Sequence, residues 1–133
     1  MAITGINHIT LVVTDLPHSI RFYADVLGAE LRAQGPKAAY LSLGSLWLCL
    51  ERGDPDHHTD HSHIAFDCPK ADFDALASQI KGAASLWKDN RSEGASLYFL
   101  DPDGHKLELH SGNLDSRLAS YRARRDAPMS VLD

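Results

Sequence analysis

The string Asn7-His8-Ile9-Thr10-Leu11 returns, altered, as Ser62-His63-Ile64-Ala65-Phe66, about 55 residues later. The sequence downstream of each copy also repeats: a helix-period stretch closed by glycine, then two apolar runs split by a turn. A chain built from two copies of a strand-helix-hairpin unit has few folds open to it, because one such unit cannot bury its own sheet face. The repeat therefore predicts paired units and places His8 and His63 at equivalent points of equivalent strands.

In the first copy, Gly5 to Val13 is rich in β-branched residues and predicts a strand, with His8 and Thr10 facing away from Ile9, Leu11 and Val13. Asp15 is placed to cap a helix with Pro17 in its first turn. Ile20, Tyr23, Ala24 and Leu27 form its apolar stripe, and Gly28 is placed to end it in a left-handed conformation. The apolar runs over 39–43 and 46–50, split by Gly44-Ser45, predict a hairpin that carries Tyr40 and Trp47, with Trp47 read as core. The polar run RGDPDHHTD over 52–60 then marks a connector, placed at 53–60.

In the second copy, Pro69 to Lys81 predicts a helix with Phe73, Leu76, Ala77 and Ile80 inward, and Gly82 repeats the closing glycine. Residues 95–100 and 105–110, joined through Asp103-Gly104, predict the second hairpin. Strand alternation puts Lys106, Glu108 and His110 on one face and Leu107 and Leu109 on the other. Asn113 is placed to cap a final helix with Leu114, Leu118 and Tyr121, followed by a tail. The whole of 1–133 reads as one domain, with modules over about 1–52 and 61–112 and a C-terminal helix and tail over 113–133.

Composition narrows the function. A net charge of -5 argues against general nucleic-acid binding, which needs a basic surface, and the arginines at 117, 122, 124 and 125 are too few to reverse it. No apolar run approaches the ~20 residues that cross a bilayer, so no membrane partner and a cytoplasmic location are expected. Cys49 and Cys68 lie in apolar sequence and read as small hydrophobes without a disulfide. His8, His63 and Glu108 could supply two imidazoles and a carboxylate to Mn²⁺, Fe²⁺, Co²⁺, Ni²⁺ or Zn²⁺, leaving positions open for Lewis-acid chemistry. His57, His58 and His61 read as solvated connector histidines, and neither His105 nor His110 is given a ligand role.

These strings together resemble a known family. INHITLVV with DLPHSIRFY, AAYL, GSLWLCL, HSHIAF, WKDNRSEGAS, YFLDPDGHKLELH and LDSRLASYR are similar to those of the FosA-type fosfomycin-resistance thiol transferases, within the vicinal oxygen chelate superfamily. The resemblance implies an α+β fold of tandem βαβββ modules in an incomplete barrel, in a module-exchanged homodimer. It implies Mn²⁺ held by His8 of one subunit with His63 and Glu108 of the other. It places a phosphonate pocket on Thr10, Lys88, Ser92, Ser96, Tyr98 and Arg117, with Thr10 and Lys88 also catalytic. It places an activating K⁺ in the loop of Asn90, Ser92, Glu93, Gly94 and Ser96, and it implies that Tyr40 assists ionisation of glutathione. Lys88 and Arg117 would balance the phosphonate dianion while the hydroxyls orient it.

Departures from the family pattern fall on the thiol side: Gly35 stands where a tryptophan is expected, and His61 and Ile64 stand where tyrosines are expected. The expected activity is addition of glutathione's thiol to the epoxide of fosfomycin. Two other classes remain open, namely another metal-dependent enzyme of the superfamily, such as a dioxygenase or isomerase, and a phosphonate-binding protein without turnover.

Overall fold

The computed structural model describes residues 2–91 and 93–132, so Ser92 lies outside the described residues. The chain divides into two compact units. The first comprises residues up to His61 together with Leu100–His105, and the second comprises Ser62–Phe99 and the chain from Lys106 onward.

Unit 1 runs β1 (His8–Val13), α1 (Leu16–Arg21), β2 (Glu30–Gln34), β3 (Ala38–Leu43) and β4 (Leu46–Arg52). Its sheet is open and four-stranded, ordered β1-β4-β3-β2. β1 lies parallel to β4, with His8 opposite Trp47 and Thr10 opposite Cys49, and β3 lies antiparallel to β4, with Tyr40 opposite Cys49. Alternation gives this sheet two unlike faces. Leu11, Val13, Ala39, Leu41, Leu48 and Leu50 are buried on one; His8, Thr10, Tyr40 and Trp47 are exposed on the other. Trp47, read as core from its apolar neighbours, is 41% exposed. An apolar run cannot say which member of an alternating strand faces out.

Asp15 caps α1 as expected, accepting from the His18 amide at 3.0 Å, and Pro17 lies in the first turn, where its missing N–H costs nothing. The helix does not continue regularly to Leu27. It widens into a π-helical turn over Phe22–Val26 before Gly28 closes it at φ +81°. The widened turn buries both Phe22 and Tyr23, which a regular helical stripe would not predict. Tyr23 donates to Asp101 at 2.7 Å, Thr14 donates to Asp103 through both its amide and its hydroxyl, and His105 Nε2 lies 2.7 Å from the Val12 carbonyl. These bonds make 100–105 a part of unit 1.

Unit 2 runs β5 (Ile64–Asp67), α2 (Lys70–Lys81), β6 (Leu86–Lys88), β7 (Ala95–Leu100), β8 (Lys106–Ser111) and α3 (Leu114–Arg122), with sheet order β5-β8-β7-β6. The order repeats that of unit 1, and β5 is again parallel to β8. α2 buries Ala77 and Ile80 as its spacing predicts, but Gly82 has φ -73°, so this helix ends without a left-handed residue. α3 carries a reciprocal cap between Asn113 and Ser116. The short strands β2 and β6 were legible only through the family resemblance. Both cysteines are free, and no helix among the described residues is long and apolar enough to cross a membrane.

The Tyr23–Asp101 bond generates a prediction. Burial first, and then the adjacent Asp101 charge, hold the Tyr23 phenol well above its ordinary range; burial also raises the Asp101 carboxyl, against the pull of Tyr23, His105 and two amides. A raised phenol contributes stability that is complete below the unfolded value near pH 10 and is lost as pH rises through the folded value. Tyr23→Phe should cost about 1–3 kcal/mol at neutral pH, because a buried Asp101 oxygen loses its donor. The deficit should narrow above about pH 10. Urea unfolding of both proteins across pH 7 to 11 checks this, and a gap that stays constant would contradict it.

Candidate metal and anion site

Glu108 is the centre of unit 2. It sits in β8 opposite Ala65 of β5, and His63, immediately before β5, shares the face of Ala65. The consequence is a contact: His63 Nε2 lies 2.9 Å from Glu108 Oε1. The other carboxylate oxygen accepts from the Ser96 hydroxyl of β7 at 2.7 Å, and that hydroxyl is also 2.6 Å from His110 Nδ1. Glu108 is only 6% exposed, so the face that alternation marks as polar is enclosed rather than solvated. Leu107 and Leu109 fill the opposite face, at 0% and 3% exposed.

Aromatic rings hold His63 in place. Its ring centroid lies 5.4 Å from Trp87 and 5.8 Å from Tyr98, both near edge-to-face, and Trp87 is itself fixed by donating to the Leu107 carbonyl at 3.0 Å. An imidazole nitrogen and a nearly buried carboxylate converging at this separation fit a divalent cation of the Mn²⁺ or Zn²⁺ kind. His8 stands on unit 1, exposed on β1, with its ring 4.5 Å from Trp47 and its Nδ1 2.7 Å from Asn7. Among the described residues no three His, Cys, Asp or Glu side chains gather as a metal-holding group.

Beside the pair, Lys88 and Tyr98 line a cavity of about 270 Å³, together with Arg91, Glu93, Tyr121 and Arg124. Lys88 Nζ lies 5.0 Å from the Tyr98 ring centroid. Ser96 and Arg117, expected on the phosphonate, are engaged elsewhere: Ser96 on Glu108 and His110, and Arg117 on the Glu93 carboxylate at 3.2 Å and the Glu93 carbonyl at 3.4 Å. Burial by itself lowers the Arg117 guanidinium, but bonds from Glu93 and Tyr121 outweigh it and raise the group above its ordinary value. Asn90 donates to the Gly94 carbonyl at 3.0 Å, which closes the loop expected to hold K⁺. Ser92, assigned to both the pocket and that loop, is outside the described residues.

In unit 1, Thr10 is exposed on β1, and Tyr40, 45% exposed, packs edge-on to Trp47 at 5.3 Å. Tyr40 borders a cavity of about 310 Å³ with Ala33, Gln34, Gly35 and Ala38. The sequence alone points to no site role for His110 or Trp87. For His110 the signal was present, since it shares the face of Glu108 two residues on.

The chain matches the Glyoxalase/Bleomycin resistance protein/Dioxygenase superfamily over residues 5–109. It is 45% identical over 131 residues to glutathione transferase FosA of Serratia marcescens, covering 94% of this chain and 93% of that protein. It is 40% identical over 134 residues to metallothiol transferase FosB of Staphylococcus epidermidis, covering 92% of each. A mutant of the fosfomycin resistance protein FosX of Listeria monocytogenes, solved with Mn(II) and 1S,2S-dihydroxypropylphosphonic acid, superposes with a TM-score of 0.81. That match is at 34% identity and covers 90% of this chain and 98% of that one. The chain therefore belongs to this superfamily and, within it, to the fosfomycin-resistance enzymes.

The loop geometry yields a prediction of its own. Gly94 has φ +80°, and a Cβ there would stand 2.6 Å from the Ser111 carbonyl oxygen. Gly94→Ala should therefore destabilise the protein by more than about 1 kcal/mol, read as a lowered urea midpoint. An unchanged midpoint would mean that the loop is not held against β8.

Proposed function

We propose that the protein is a metal-dependent transferase that adds the thiol of glutathione to the epoxide of fosfomycin. The observation that carries this reading is the buried Glu108 carboxylate facing His63 at 2.9 Å, next to a cationic cavity bordered by Lys88 and Tyr98. Family membership supports it, and the name of the FosA relative states glutathione transfer. His8 of one subunit and His63 and Glu108 of the other would hold Mn²⁺ in a homodimer with exchanged modules, in the cytoplasm. A metal bound there would act as a Lewis acid, lowering the cost of charge on the departing epoxide oxygen.

The chain's own residues supply the rest. Ser96 and His110 fix the orientation of the Glu108 carboxylate, as supporting groups behind a metal ligand commonly do. Lys88, Tyr98, Thr10, Ser92 and Arg117 would bind and orient the phosphonate, setting the epoxide carbon in line for attack. In this structure Arg117 bonds the carboxylate and carbonyl of Glu93, and so would also steady one residue of the proposed K⁺ loop. Glutathione's thiol is mostly protonated at neutral pH, so a group must stabilise its anion, and Tyr40 is assigned that role.

The FosX match raises a second reading, in which water rather than a thiol opens the epoxide, because that neighbour is solved with a dihydroxy phosphonate. The family resemblance implies an added glutamate ahead of the tryptophan-bearing strand in the hydrolytic branch, and Gly44-Ser45, ahead of Trp47, offers none, which favours the thiol. Incubating the protein with Mn²⁺, fosfomycin and glutathione should yield the thiol adduct by mass spectrometry. A diol formed equally with and without glutathione would establish the hydrolytic reading instead. Activity should also be higher in KCl than in NaCl, and equal rates would remove the K⁺ site.

Two substitutions test the assignments. His63→Ala should weaken Mn²⁺ binding at least ~10-fold, since loss of even a group behind a metal ligand costs that much, while the far-ultraviolet circular dichroism stays that of the parent; Mn²⁺ bound as tightly as before would sink the ligand set. Tyr40→Phe should lower turnover most at neutral pH and recover relative to the parent as the solution thiol ionises. Parallel pH profiles would show that Tyr40 does not promote ionisation.

A further inference from the structure

Arg124 lies in the segment after α3, and in the sequence it is only one member of a short arginine cluster. In the structure it lines the same cavity of about 270 Å³ as Lys88, Arg91 and Tyr98. Three cations thus face one cavity, and among the described residues its single lining carboxylate, Glu93, is already bonded by Arg117. Neither Lys88 nor Arg91 makes an ion pair among the described residues. Such a surplus draws anions.

The cavity has room for more than a phosphonate. At about 270 Å³ it approaches the roughly 300 Å³ at which pockets begin to hold drug-sized ligands, which exceeds what a three-carbon phosphonate fills. The cations that line it also differ in chemistry. Lys88 is a compact point charge, whereas a guanidinium presents a planar fork matched to a carboxylate. The Arg124 fork already has a carboxylate on it, since its Nε lies 3.3 Å from Asp126 Oδ1. The two side chains are 44% and 84% exposed, and a pair so exposed contributes little, so an incoming carboxylate can displace Asp126 at small cost.

We propose that Arg124 binds a carboxylate of the thiol co-substrate, with Asp126 holding the guanidinium in place until that carboxylate arrives. The segment after α3 is then a specificity element, favouring thiols that carry a carboxylate over neutral ones. This rests on the reading of the reaction as thiol transfer.

The test is calorimetric titration of glutathione, and of glutathione with both carboxylates esterified, into the full-length parent, Arg124→Ala, Arg124→Lys and Asp126→Asn, with fosfomycin as a control ligand. Arg124→Ala should weaken glutathione about 10-fold, the scale of one charge-assisted bond, without changing fosfomycin binding. Arg124→Lys should recover part of the loss, and Asp126→Asn should tighten glutathione, because the internal competitor is gone. The diester should bind weakly and equally to all four proteins. Unchanged glutathione binding in Arg124→Ala, an equal loss for glutathione and its diester, or a loss confined to fosfomycin would each overturn the assignment. A parent that binds glutathione and responds to Arg124 as stated, yet forms no adduct with fosfomycin, would sink the thiol-transfer reading and leave Arg124 as a carboxylate site.

Discussion

A carboxylate removed from water is costly unless it is paired, and Glu108 at 6% exposure is paired on both oxygens. Much of unit 2 can be understood as what that pairing needs. Parallel β5 brings His63 to one oxygen, β7 brings Ser96 to the other, and Trp87, anchored on the backbone of β8, stands edge-on to the imidazole. Among the described residues no buried side-chain nitrogen or oxygen is left without a partner. A set of groups satisfied in this way holds its geometry, which a site for a metal requires.

Unit 1 repeats the strand order but uses the equivalent face differently. Where unit 2 encloses Glu108, unit 1 leaves His8, Thr10, Tyr40 and Trp47 exposed on one open sheet face. Its polar bonding goes instead into anchoring 100–105: Asp101 and Asp103 of the Asp-Pro-Asp-Gly turn accept from Tyr23, Thr14 and nearby amides. The segment joining β7 to β8 is thereby fixed at both of its aspartates. The two units thus share one strand order, and their side chains give one an enclosed donor pair and the other an exposed aromatic face.

Much of this was legible in the sequence, for identifiable reasons. Period-2 alternation put Glu108 and His110 on one face, the capping residues Asp15 and Asn113 marked two helix starts, Gly28 marked a left-handed helix end, at φ +81°, and Asp103-Gly104 marked a turn. Other features were not legible. The exposure of Trp47 depends on which face of the sheet is covered, and no single strand encodes that. The π-helical turn at Phe22–Val26 carries Tyr23, whose partner Asp101 lies 78 residues away in the sequence, so no local pattern marks the pair. Ser96 and Arg117 read from the sequence only as phosphonate-pocket residues through the family resemblance, and the partners they meet in the structure, Glu108 and Glu93, come from strand order and loop shape rather than from spacing. Arg124 had no pattern to mark it, because its place in the cavity is set by where the chain runs after α3.

The central proposal is a metal centre whose ligands come from both repeats and from two chains, with His8 meeting His63 and Glu108 across a homodimer. Complementation tests it most directly. His8→Ala and Glu108→Ala, each impaired in Mn²⁺ binding, are mixed in equal amounts under conditions that let subunits exchange, and bound Mn²⁺ is measured by electron paramagnetic resonance. Random pairing makes half the dimers mixed, and each mixed dimer rebuilds one of its two sites, so the account predicts about a quarter of the parent's tight Mn²⁺ sites. No recovery in the mixture, after subunit exchange has been verified, would contradict a site shared between chains.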